Sequence, residues 1–292
     1  MPSYKTHSIH GEEILKRIDK RIELDKEDLK TYCIGFDTLI PTEYQLFKSL
    51  HNNNTKLYFE TIIKYIKDNK LQDNSEVISF LYGQLDHFIL DISIHPLIYY
   101  MTALKEKEHL IDYHGLVEMW IDEYVMNKHH KNDKSYYHKW KINDEELKRL
   151  IREIYIKLFD KSNMVLKYDI GIISNNLYDL LIRENKIMVA PLICKLINIG
   201  DIIYKDDLER VKPYLNSEKE VWYNPETEEK LTKSFDDLWE ESVVVSEEAI
   251  YDVNRHLYDD RPLTTRIIKD NLSANTGLPC EHKQKLKCLK RY

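Results

Sequence analysis

The sequence is poor in residues that break regular structure, with 7 glycines and 8 prolines in 292 residues. That scarcity points to long regular elements and few tight turns. With Leu, Ile, Lys, Glu and Asp abundant, it predicts a mostly helical chain. The 4 cysteines, Cys33, Cys194, Cys280 and Cys288, form no paired framework. The expectation is a reduced, intracellular protein rather than a disulfide scaffold. The opening "MPSYKTHSIHGEEILK" lacks the apolar core of a signal peptide. No stretch approaches the ~18 uninterrupted apolar residues of a membrane span. Together these absences predict a cytoplasmic location and no transmembrane segment. A net charge of −7 and a pI near 6.0 argue against a general polyanion-binding surface but leave room for a local metal-rich cleft.

What the sequence has is helical periodicity. In "GEEILKRIDKRIEL", Ile14, Leu15, Ile18 and Ile22 recur at helical spacing, with Glu12 and Glu13 expected in a first turn that favours acids. "YCIGFDTLIPTEY" reads as a loop. Helices are predicted over 56–67, then from a cap at Ser75 through "EVISFLYGQLDHFILDIS" to a limit at Pro96. Others are predicted over 113–126, 144–159, 168–185 and 235–258. "SEKEVWYNPETEEKL" reads as an exposed loop, and "HKQKLKCLKRY" as a basic tail. One all-α domain is expected over 1–272, a multi-helix bundle with its metal motifs in 1–125 and a motif-free helical extension in 140–272. A flexible basic tail is expected over 273–292.

The chemistry concentrates in two helices. A step of four residues turns an α-helix by about 400°, so residues four apart share a face. His87, Asp91 and His95 therefore line one stripe of an otherwise apolar helix. His114 and Glu118, with Asp122 a turn later, repeat the pattern on the next. Imidazoles suit zinc and similar ions, and a carboxylate can bridge two of them. A single His/Asp pair is more often structural, a buried pair or a surface salt bridge. Two such helices in succession favour a metal site, because burying these groups without a cation is costly. His7, His10, Asp37 and His51 lie upstream as further candidates. "CEHKQKLKC" offers Cys280, His282 and Cys288, a poor zinc site in a basic tail.

The order "TH…G", "G-x-D-T", a His before an aromatic helix, "YGxxxHxxxDxxxHP" and "HGxxExxID" resembles the zinc-dependent phospholipase C family, related to fungal single-strand-specific zinc nucleases. The resemblance covers roughly residues 1 to 125 and implies an all-helical bundle with up to three zinc ions. Carried over by position, it implies that Asp37, His51, His87 and Asp91 hold one zinc, with Asp91 bridging to another. His95, His114 and Glu118 resemble the second set, and His7 with Asp91 part of a third. Secreted members complete that third site with a processed N-terminal Trp. This sequence has no such Trp, so two or three ions are implied, with His10 or the backbone near Met1 to Ser3 as substitutes. The Asp91-to-His95 spacing is shorter than in those members.

The activity so implied is phosphodiester hydrolysis, in which Asp37 orients or deprotonates the attacking water. Phe36, Tyr82, Phe88 and Trp120 are candidates for a substrate wall, with core packing as the plainer assignment. The substrate is a phospholipid or a nucleotide or nucleic acid. A helical metal-binding protein without turnover is the alternative from another class.

Overall fold

In a computed structural model of the chain, residues 4–18, 22, 24–35, 37, 49–102, 113–130, 144–159 and 208–281 are described. The described residues form α1 (Tyr4–Arg17), α2 (Lys26–Tyr32), α3 (Thr55–Asn69), α4 (Ser75–Thr102), α5 (Tyr113–Lys128) and α6 (Glu145–Phe159). After these come α7 (Leu208–Leu215), a hairpin of β1 (Trp222–Tyr223) and β2 (Lys230–Leu231), α8 (Phe235–Asp259) and α9 (Arg266–Lys269). The fold is all-α, as the composition predicts. The expected helix over 168–185 lies outside the described residues.

The bundle is organised around α4. Its 28 residues are apolar on all sides, the pattern of a helix enclosed by others. α8, α2, α1 and α5 pack around it. α4 is also long and apolar enough to cross a membrane, but 89 % of its most apolar window is buried inside this chain. Asn74, not Ser75, caps it: the Asn74 Oδ1 accepts from the Val77 N–H at 3.0 Å.

The expected stop at Pro96 does not occur. α4 continues through the proline to Thr102. A proline removes one i→i−4 hydrogen bond, here the one to the Ile92 carbonyl. Pro96 and its neighbours His95, Leu97 and Ile98 are all buried, so tertiary packing holds the helix together across the break.

Other expectations shift for similar reasons. α1 starts at Tyr4, which places Glu12 and Glu13 in its interior rather than its first turn. The expected loop around residue 222 contains the hairpin, and Trp222 is buried with its indole N–H donating to the Lys233 carbonyl at 2.9 Å. Residues 273–281, expected as the start of a tail, pack onto the helices. Leu272 and Ala274 are buried, and Leu272 bridges to Pro279. Residues 282–292 lie outside the described residues.

α8 locks two elements that carry site residues. His10 of α1 sits 2.8 Å from Asp86 of α4 through Nδ1 and 2.8 Å from the Ser242 hydroxyl through Nε2. Ser242 donates to the Trp239 carbonyl, so its oxygen accepts from His10. Ser246 donates to the same Asp86 oxygen. These groups are buried, and they fix α1 and α4 against α8 one turn away from the candidate ligands.

Candidate metal centre

The structure brings eight of the sequence candidates, His7, Asp37, His51, His87, Asp91, His95, His114 and Glu118, into one cluster, with all but the half-buried His114 buried. The four-residue spacing on α4 aligns His87, Asp91 and His95, and that on α5 aligns His114 and Glu118. α1 supplies His7, the chain after α2 supplies Asp37, and a helical turn ahead of α3 supplies His51.

Asp91 is the hub. Its Oδ2 lies 3.3 Å from His87 Nε2 and 3.4 Å from His51 Nε2. Its Oδ1 lies 3.3 Å from His7 Nε2 and 3.7 Å from His95 Nε2. Asp37 faces the first side, with Oδ1 3.5 Å from His51 and 3.6 Å from His87, and Oδ2 4.0 Å from His7. On the second side Glu118 Oε1 is 3.7 Å from His95 and 2.7 Å from His114. His95 Nε2 thus faces both Asp91 and Glu118 despite its shorter spacing from Asp91. Three groups bring their ligand atoms within 4.8 Å of one another: His7, His87 and Asp91; Asp37, His51 and His87; His95, His114 and Glu118.

The tautomers decide what these separations mean. His87 Nδ1 donates to the Cys33 carbonyl at 3.1 Å, and His95 Nδ1 donates to the Ala274 carbonyl at 2.8 Å. Each neutral ring therefore turns the Nε2 lone pair toward carboxylate oxygens, with acceptor facing acceptor. Burial pushes His87 down to about 4 and His95 to about 3, so both are neutral near pH 7. Burial pushes His114 down as well. Burial opposes the charge on Asp91, yet its histidine neighbours hold that carboxyl well below the usual range. Burial disfavours the His51 imidazolium too, but the negative carboxylates of Asp37 and Asp91 beside it hold it up at about 9.

Both Asp91 oxygens, Asp37 Oδ1, both His7 nitrogens and His95 Nε2 are buried without a hydrogen bond. Leaving such groups unsatisfied costs on the order of 1–3 kcal/mol each. A cation satisfies several at once. Zinc bonds of about 2.0–2.1 Å in a tetrahedron place ligand atoms roughly 3.4 Å apart. The Asp91 separations of 3.3 to 3.7 Å match that edge, so the residues fit zinc.

Two sequence candidates fall elsewhere. Asp122 Oδ1 accepts from the Thr6 N–H and hydroxyl at 2.9 and 2.6 Å, anchoring the start of α1 to α5. His10 is committed to Asp86 and Ser242 and does not join the cluster. Of the aromatic candidates, Phe88 stacks on His51 with centroids 6.3 Å apart. Tyr82 is core and donates to Asn254, and Trp120 packs on Tyr214. Phe36 lies outside the described residues. Sequence reasoning missed Tyr99, which stacks on His114 with centroids 4.4 Å apart. Its position one turn beyond His95 was the available signal.

Gly35, quoted in "G-x-D-T" without a role of its own, shapes the site. It has φ +62°, and a Cβ there would lie 2.3 Å from His87 Cγ. Only glycine lets the chain cross the His87 ring in this left-handed conformation. Gly83 plays a related part: a Cβ there would meet Tyr32 at 2.6 Å, so the end of α2 lies directly on α4. Gly35→Ala is expected to destabilise the fold by about 1–2 kcal/mol from backbone strain. Displacing His87 should also weaken metal affinity roughly 10–100-fold, as loss of an orienting partner does. Thermal unfolding and titration against a chelator measure the two effects.

Compared with models of known families, residues 6–164 match the family described as zinc dependent phospholipase C, more than half of the chain. No curated protein and no solved structure matches it. All eight clustered side chains fall inside the matched span. By that span, the all-α bundle and the buried His/Asp groups, the chain belongs to the zinc-dependent phospholipase C family and has a zinc-dependent, phosphodiesterase-like role.

Proposed function

We propose that the protein is a zinc-dependent phosphodiester hydrolase whose reaction takes place at the Asp91 cluster. One observation carries this reading: neutral imidazoles turn lone pairs onto both oxygens of an ionised, buried Asp91. Leaving those groups facing one another without cations between them is costly. Asp37, His51, His87 and Asp91 would hold one ion, and His95, His114, Glu118 and Asp91 a second. His7 offers a further nitrogen to Asp91, so the centre takes two or three ions.

Bound zinc supplies positive charge that polarises a phosphoryl oxygen and lowers the pKa of water toward neutrality. The remaining work falls to the chain. Asp37 and Glu118 are the two carboxylates at the edge of the cluster, each 6 % exposed against 0 % for Asp91, and Asp37 faces three of its histidines, His7, His51 and His87. Asp37 orients the attacking water and takes its proton. The water oxygen bonds to phosphorus, the ester P–O bond breaks, and the leaving alkoxide takes up the proton that Asp37 received. His87 and His95 are held by backbone carbonyls, so the cluster does not reorganise as charge develops.

Elemental analysis should count two or three zinc ions per chain. The loaded protein should hydrolyse bis(p-nitrophenyl) phosphate, and lose that activity with chelator. Parallel assays on phosphatidylcholine vesicles and on single-stranded DNA then separate a lipid substrate from a nucleic acid. Zinc binding with no rate above blank in any assay would overturn the hydrolase and leave a metal-binding protein without turnover.

A further inference from the structure

We propose that residues 271–281 form a strap that orients the metal centre, with Ala274 as the positioning residue joining its two sides. The inference rests on the zinc reading above but concerns a segment beyond the matched span of 6–164. Ala274 is fully buried. Its N–H donates to the His51 carbonyl at 2.8 Å, and its own carbonyl accepts from His95 Nδ1 at 2.8 Å. His51 belongs to the group with Asp37 and His87, and His95 to the group with His114 and Glu118. One backbone residue thus bonds a member of each group, the His51 backbone and the His95 ring.

The strap is anchored on both flanks. Upstream, the Asn271 side-chain oxygen accepts from the Lys56 N–H at 3.0 Å, and the Leu272 carbonyl accepts from the Thr55 hydroxyl at 2.7 Å. Downstream, Asn275 donates to Asn52 at 2.7 Å and accepts from the Tyr99 hydroxyl at 3.2 Å. Internally, the Ser273 N–H donates to the Leu278 carbonyl and the Cys280 N–H to the Asn271 carbonyl, both at 2.8 Å. Gly277, at φ +67°, brings the strap against Ile92, whose carbonyl loses its helical donor to Pro96. These bonds fix the Ala274 carbonyl against the ring of His95. That carbonyl keeps the proton on Nδ1 and the lone pair on Nε2, aimed at Asp91 and Glu118.

Two full-chain variants test this. Ala274→Pro removes the N–H given to His51 and restricts Ser273, displacing the carbonyl given to His95. Asn271→Ala with Asn275→Ala keeps the residue at 274 but removes the side-chain anchors that hold it against His95. Zinc affinity is read by competition with a graded series of chelators. The His95 tautomer is read from imidazole nitrogen shifts in the metal-free chain, and folding from helical circular dichroism. Both variants should fold, bind one ion's worth of zinc about 10–100-fold more weakly, and show His95 exchanging between tautomers. Folded variants with wild-type affinity and the proton fixed on Nδ1 would overturn the strap. If Ala274→Pro does not fold, the double variant decides. If the wild-type chain binds no zinc, the hydrolase reading falls and the tautomer alone judges the strap.

Discussion

Asp91→Asn is expected to strip zinc from the centre and slow phosphodiester hydrolysis by on the order of a thousandfold or more. Metal ions contribute several kcal/mol of charge stabilisation to such reactions, and each ~1.4 kcal/mol is a factor of ten. The size of the effect follows from position. Asp91 is fully buried, and its two oxygens face four histidines, His51 and His87 on one side and His7 and His95 on the other. Asparagine keeps the shape but offers one oxygen, no charge, and an NH2 that opposes a cation. An ion on either side of Asp91 loses the same ligand, so zinc per chain should fall toward zero rather than by one. Elemental analysis after dialysis and the bis(p-nitrophenyl) phosphate rate check this. A folded Asp91→Asn chain with full zinc and full rate would make Asp91 an ordinary buried helix carboxylate.

Removing the metal should have the second largest effect, on stability. A ligand at about 1,000 times its Kd stabilises the folded state by about 4 kcal/mol. Chelation should therefore lower the unfolding midpoint sharply and make it depend on zinc concentration. It should also expose a pH dependence that bound zinc suppresses. In the metal-free chain His51 is held at about 9 against an ordinary 6.5. Its contribution is fully present below pH 6.5 and is lost as pH rises through 9, on the order of 3 kcal/mol. His87 and His95 shift the other way, to about 4 and about 3. They are buried neutral and must charge in acid, so stability falls as pH drops below 6.5 through 4 toward 3. The metal-free protein should be most stable near pH 6.5 and weaken on both sides. Zinc requires a deprotonated His51, so the loaded protein should show no alkaline loss over 6.5 to 9. Urea midpoints across pH, with and without chelator, measure both arms.

The sequence by itself determined the parts of this protein that are periodic. Helix spacing put His87, Asp91 and His95 on one face and His114 with Glu118 on another, because a four-residue step nearly closes a turn. The same periodicity located most of the described helices and the all-α class. Upstream, His7, Asp37 and His51 carry no local period, and only their order along the chain suggested them. Other choices needed the assembled bundle. Asp122 has the same helical phase as His114 and Glu118, yet it binds Thr6, because α1 packs there. Pro96 reads as a stop, yet burial carries α4 past it. The carbonyls of Cys33 and Ala274 set the tautomers of His87 and His95. Every residue offers such a carbonyl, so no side-chain pattern marks the ones that matter. Tertiary structure alone decides which backbone oxygen meets which ring, because that depends on how distant segments pack rather than on what either segment contains.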